Sequence, residues 1–183
     1  EMELNDYNII LSGFREDREV FIRKLENLID RRVDGLILFE AIEDERARKL
    51  IEQSGIPTIS ISNPLPYPCV DNMLAANRKS CREVTRRIIH AGHARIGVLA
   101  GIQEEYVSRE RLAGVLEAFD EAGLPRNNAV VRIGDYPREC GYRDMMHLVC
   151  EDHVDCVFAL NYGRSQGAQQ ALNELGLRIG EDI

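Results

Sequence analysis

His90-Ala91-Gly92-His93-Ala94-Arg95-Ile96-Gly97-Val98-Leu99-Ala100-Gly101 is the stretch on which the fold turns. A charged helix end, punctuated by Gly92, runs into a short apolar segment of β-type residues. Arg31-Arg32-Val33-Asp34-Gly35-Leu36-Ile37-Leu38 repeats the same joint earlier in the chain. A helix that stops and feeds a buried strand is the recurring unit of a parallel α/β sheet.

Working outward from these joints, apolar spacing predicts helices over Glu19–Arg32, Asp44–Ser54, Ala75–Ala91, Ser108–Ala122, Gly141–Glu151 and Ser165–Leu175. Strands are expected at Tyr7–Ser12, Val33–Phe39, Ile56–Ser62, Arg95–Ala100, Ala129–Ile133 and Asp155–Leu160. Val33–Phe39 has almost no polar interruption, as in a strand covered on both faces. In Ile56–Ser62, alternation with Thr58, Ser60 and Ser62 points to one less buried face. Pro64, Pro66 and Pro68 make a stiff, extended connection. No strand pair carries a hairpin turn, so the crossovers should be right-handed and the sheets parallel. The fold class is α/β, with one unit over 1–72 and another over 73–183. Glu1–Asp6 reads as the tail of a helix, and Leu175–Ile183 as a helix stop leading towards another strand. Both units are therefore expected to be partial.

The 183 residues carry 31 acidic and 23 basic side chains, a net charge of −8. That balance disfavours a direct grip on a nucleic-acid backbone, which needs a basic face. No apolar run approaches membrane-span length, and no signal-peptide pattern opens the chain. Cys69, Cys81, Cys140, Cys150 and Cys156 are odd in number and none are spaced C-x-x-C, which fits free thiols in a reducing cytosol. His90 and His93 flank Gly92 at a helix C-terminus, where a cationic ring suits the helix dipole, so no metal site is expected. No cofactor is expected either: G-x-G-x-x-G and G-x-x-x-x-G-K-[ST] are both missing. No loop sets a nucleophile beside a base, so an enzyme is not expected.

Taken together and in order, several phrases resemble the effector-binding core of the lactose-repressor (LacI/GalR) family of bacterial transcription regulators. They include Arg31–Leu38, Ser54-Gly55-Ile56-Pro57, Val70-Asp71-Asn72, Gly92–Gly97, Arg109-Glu110-Arg111-Leu112-Ala113-Gly114, Gly134-Asp135-Tyr136, Val157-Phe158-Ala159 and Glu174–Ile183. The resemblance implies two Rossmann-like subdomains of the periplasmic-binding-protein type I kind, truncated here at both ends, with ligand closed between them. It also implies a cytoplasmic homodimer that reaches operator DNA through a helix-turn-helix outside this chain. Glu19–Arg32 and Ser165–Leu175, the latter with its small-residue stretch Gln166–Ala171, are the candidate dimer helices. The same fold also serves periplasmic solute-binding proteins, which is the alternative reading.

Ligands of open parallel sheets sit beyond the carboxyl ends of the strands. By resemblance, Arg111 hydrogen-bonds the effector, and its planar fork suits vicinal hydroxyls, a carboxylate or a purine edge. The competing reading is an ion pair with Glu110 or Glu104. Tyr136 is the candidate stacking residue, unless it is simply a loop tyrosine half-covered by Pro137. The family's usual Asn-Asp becomes Asn161-Tyr162, and Glu105 is a candidate substitute carboxylate. The usual apolar helix start becomes Gly163-Arg164-Ser165, which opens the possibility of an acidic or phosphorylated ligand met by Arg164. Otherwise the expected effector is a sugar, a sugar derivative or a nucleobase-like molecule. Asp71 and Asn72 lie at the crossing between subdomains and are read mainly as caps of the next helix; Ser108 is read as the N-cap of its own.

Overall fold

The computed structural model describes residues 7–14, 17–39 and 41–183. It divides into two compact units, Glu1–Leu74 and Ala75–Ile183. The predicted helical tail over 1–6 lies outside the described residues.

The first unit runs α1 (Arg18–Asp30), β1 (Leu36–Phe39), α2 (Glu45–Ser54), β2 (Thr58–Ile61) and β3 (Val70–Met73). Its three strands are parallel, in the order β1-β2-β3. Both helices start on an aspartate: Asp17 accepts from the Val20 N–H, and Asp44 from those of Arg46 and Ala47. These bonds satisfy donors that the first helical turn leaves unpaired. Gly55 closes α2 at φ 65°, a left-handed stop that suits glycine.

Phe21, Ile22 and Leu25 of α1 and Ala47 and Ile51 of α2 pack with Leu36, Leu38 and Val70 in one core. Both helices therefore cover the same face of the sheet. The expectation that Val33–Phe39 is covered on both faces does not hold: Ile37 and Phe39 are 63% and 61% exposed. The polarity of β2 is likewise the reverse of that expected. Thr58 and Ser60 are the buried residues, and Ile59 and Ile61 are only partly covered. Burial is tolerated because each hydroxyl donates to a nearby carbonyl, Thr58 to Ile56 at 2.8 Å and Ser60 to Asn63 at 2.7 Å.

Tyr7–Ser12 is not a strand. Among the described residues it joins no ladder, and Ile9 and Leu11 are 72% and 95% exposed. Conversely, β3 falls where caps of the next helix were expected. Neither Asp71 nor Asn72 caps the following helix, whose N-cap is Ala76 without a side-chain bond. Asn72 instead grips the proline connection, its Oδ1 accepting from the Leu65 N–H at 2.8 Å and its Nδ2 donating to the Leu65 carbonyl at 3.0 Å. Leu65 and Tyr67 are thereby folded into the core, where the Tyr67 hydroxyl bonds both backbone groups of Asp44. Asn72→Ala should lower the stability of this unit by about 1–3 kcal/mol, since both Leu65 groups lose their partner. Urea unfolding would check this; an unchanged midpoint would show the grip to be incidental.

The second unit continues α3 (Asn77–His90), β4 (Ile96–Ala100), α4 (Tyr106–Glu121), a short 3-10 turn (Arg126–Asn128), β5 (Ala129–Ile133), α5 (Arg138–Cys150), β6 (Cys156–Ala159) and α6 (Tyr162–Leu175). The sheet is parallel in the order β5-β4-β6, so β4 is central, and all five of its residues are buried. Alternate β4 side chains point to opposite faces. Ile96, Val98 and Ala100 meet Cys81, Val115 and Phe119 from α3 and α4. Leu99 joins Met145 and Leu148 of α5 and Ala168, Ala171 and Leu172 of α6. The small residues of Gln166–Ala171, read above as a possible dimer face, are therefore used within the unit: Gly167, Ala168 and Ala171 are buried. A methyl on Gly167 would collide with the Arg138 carbonyl, and one on Gly141 with the Arg164 carbonyl, so α5 and α6 touch backbone to backbone.

Candidate functional site

The loops that follow β4, β5 and β6 converge at the carboxyl edge of the second sheet. A Cβ on Gly101 would lie 2.7 Å from the Tyr136 ring and 2.6 Å from the Ser108 hydroxyl; one on Gly163 would strike the Tyr136 carbonyl. The absence of side chains at these two glycines lets the three loops close on each other. At the centre, the Tyr136 hydroxyl donates to the Glu105 carboxylate and shares a 2.8 Å hydrogen bond with the Ser108 hydroxyl. Glu105 and Tyr136 are thus brought together, though they are far apart in sequence.

Ser108 does not act as the expected helix cap. α4 begins two residues earlier, at Tyr106, and Ser108 is buried in its first turn facing Tyr136. Glu105 occupies the cap position without capping, because its carboxylate is turned towards Tyr136 and Ser108. Arg109 is exposed and donates to the carbonyls of Gln103 and Glu104, bracing the loop.

Arg111 is half-buried on α4 and is not in an ion pair with Glu104 or Glu110 among the described residues. Its Nε donates to Asn77 Oδ1 at 3.0 Å, and its Nη1 to the Leu160 carbonyl at 2.6 Å. Asn77, the first residue of α3, was not singled out from sequence; a polar residue opening a helix carries no mark of a partner 34 positions away. Asn161 caps α6, its Oδ1 accepting from the Arg164 N–H at 3.0 Å. Tyr162 opens that helix, 76% exposed, with its hydroxyl accepting from Gln166.

Arg164 overturns the expectation that it meets an acidic ligand. It is fully buried, and its Nη2 pairs with Asp144 of α5. Nη1 donates to the carbonyl of Ala100, which ends β4, and at 3.1 Å to that of Gly134, just past β5. Burial holds the guanidinium below the ordinary arginine range, with the Asp144 carboxylate opposing that shift. Together the two arginines satisfy carbonyls at the ends of all three strands: Arg164 at β4 and β5, Arg111 at β6. A cavity of about 470 Å³ lies elsewhere, along the free edge of β6 beside α6 and residues 179–183.

The arrangement offers donors from Arg111, an acceptor in Glu105, and an aromatic face in Tyr136 at one sheet edge. Such a set suits orienting a small polar molecule. Among the described residues no cluster of histidine, cysteine or acidic groups could hold a metal ion, and no helix is long and apolar enough to cross a membrane.

A two-unit α/β chain with parallel sheets and polar groups gathered at the carboxyl edge of one of them has the architecture of the periplasmic-binding-protein class. A family model described as periplasmic binding proteins and sugar binding domain of the LacI family matches residues 2–183, and the chain belongs to this family. The HTH-type transcriptional regulator CelR of Thermobifida fusca is 31% identical over 159 residues, 85% of this chain and 47% of its own length. The HTH-type transcriptional repressor PurR of Actinobacillus pleuropneumoniae is 28% identical over 97% of this chain and 53% of its own. In a solved transcriptional regulator CelR-cellobiose complex the structural match has a TM-score of 0.79 at 28% identity, covering 100% of this chain and 56% of that one. The chain thus spans about half the length of the curated relatives it matches.

Proposed function

We propose that this chain is the effector-sensing part of a bacterial DNA-binding transcription regulator. In this reading a small molecule binds at the carboxyl edge of the β5-β4-β6 sheet. Arg111 donates to it, Glu105 accepts from it, Tyr136 stacks on it, and Asn161 and Tyr162 line the third loop. The observation that carries the reading is the convergence of Arg111, Glu105, Tyr136 and Ser108 at one sheet edge. The regulator names of the relatives support it, as does the similar solved structure of a CelR-cellobiose complex.

The internal pairing of Arg164 with Asp144 removes the cation that would have welcomed a phosphate, so a neutral polyhydroxylated effector is favoured over an anionic one. In the full-length protein the effector acts through differential affinity for two conformers, shifting operator binding by a helix-turn-helix segment. Asp71 and Asn72 belong to the hinge between the two conformers, and the regulator works as a homodimer in the cytoplasm.

A thermal-shift screen against neutral sugars, polyols, sugar phosphates and nucleobases tests this, because a ligand that binds only the folded state raises the melting temperature by mass action. Stabilisation by a neutral sugar or polyol, without turnover, is the expected result. Stabilisation only by sugar phosphates, or chemical conversion of a bound compound, would sink the reading.

A further inference from the structure

We propose that Arg164 is the positioning residue of this site: from full burial it ties the ends of β4 and β5 to α5 and thereby sets the contact between Glu105 and Tyr136, which it does not itself touch. The inference deepens the reading above, since a ligand selected by Glu105 and Tyr136 depends on how those two side chains are aimed.

Arg164 stands behind all three loops. Its Nη1 reaches the carbonyl of Ala100, directly before Gly101 and the loop that delivers Glu105. The same nitrogen reaches the carbonyl of Gly134, two residues before Tyr136. Its own N–H is held by Asn161 of the third loop. Nη2 is anchored on Asp144, itself only 7% exposed, so the guanidinium has one orientation. Nε is buried with no partner among the described residues. A cation serving only as filler of the α5–α6 contact would be outdone by an apolar side chain, because desolvating an ion pair offsets its attraction. What an apolar side chain cannot do is join two strand ends and a helix from one planar head.

The site also admits little slack. A methyl on Gly101 would already overlap the Tyr136 ring, and a methyl on Gly134 would lie 3.1 Å from Arg164 Nη1. Displacing the Ala100 or Gly134 carbonyl therefore moves the loop residues themselves.

The test reads Tyr136 without any ligand. With [ζ-13C]tyrosine incorporated, the six tyrosines give six carbon signals, and Tyr136→Phe identifies the one that matters. Glu105→Gln fixes the direction in which that signal moves when the contact is weakened. In the double variant Arg164→Met/Asp144→Leu, which leaves no unpaired charge inside, the Tyr136 signal should move in the same direction while the helical circular dichroism is kept. Gly114→Ala, which destabilises the α3–α4 contact instead, should leave the signal in place. Arg164→Lys keeps the charge but loses the planar fork, and should move the signal as well. The proposal is overturned if the signal stays put in the double variant or, should that not fold, in Arg164→Lys. It falls equally if Gly114→Ala moves the signal to the same extent, because stability alone would then account for the change. A failed ligand screen would leave this result untouched, and an unmoved Tyr136 would leave the sensing reading standing.

Discussion

Asp144→Ala is expected to destabilise the second unit by about 3–5 kcal/mol. Arg164 has no exposed surface, and its carboxylate partner is buried beside it in α5. Removing the carboxylate leaves a guanidinium that can neither reach water nor shed its proton easily, since arginine stays charged even when burial lowers its pKa. Its remaining partners are the two strand-end carbonyls, which are dipoles and not counter-charges. Urea unfolding followed by circular dichroism should show a large fall in midpoint. The double variant Arg164→Met/Asp144→Leu should recover most of the loss, because an apolar pair of similar volume avoids the desolvation term. If Asp144→Ala unfolds like the parent, the pair is not the buried anchor described here.

Gly167→Ala should destabilise by about 3 kcal/mol, the upper end for overpacking. In an isolated helix the same change would stabilise by about 1 kcal/mol, because alanine is the better helix former. The sign is decided by what the methyl meets. The Arg138 carbonyl and the Tyr142 N–H are backbone groups of α5, and they can give way only if the helix moves. That shift would also spread Gly141 from the backbone of Arg164, opening the contact that buries the ion pair. The two predictions are therefore coupled. Asp144→Ala combined with Gly167→Ala should cost less than the sum of the single changes, as expected for residues that share one packing defect. A stabilised Gly167→Ala protein would mean that α5 and α6 sit further apart than described.

The alternation of helix and strand was legible wherever a period and a stop signal coincided. His90–Gly101 is the clearest case: α3 ends at His90, Gly92 takes φ 103°, and β4 is apolar throughout and central. Ala129–Ile133 was read to its observed bounds for the same reason. β3 was illegible because Val70-Asp71-Asn72-Met73 lacks both periods; it is a strand through backbone pairing with β2, not through apolar side chains. Tyr7–Ser12 failed in the opposite way, having strand-like residues without a pairing partner among the described residues. At the site, Arg111 and Tyr136 stood out only through resemblance. The links among Glu105, Ser108 and Tyr136, and between Asp144 and Arg164, join residues on different loops and helices, which no local pattern encodes. Arg164 did betray itself, as a charged residue where an apolar one is usual, but burial and not ligand contact explains it.

Arg111 offers the most direct test of the central claim, that the carboxyl edge of the second sheet recognises a small effector. The measurement is a calorimetric titration of the intact effector domain with the best neutral hit of the screen, set against the same titration of Arg111→Ala. Truncating a partly buried, charged donor in a binding site costs about 2–5 kcal/mol, so affinity should fall by roughly 30-fold or more. A hit that binds Arg111→Ala as tightly as the parent would place the effector somewhere else and contradict the account.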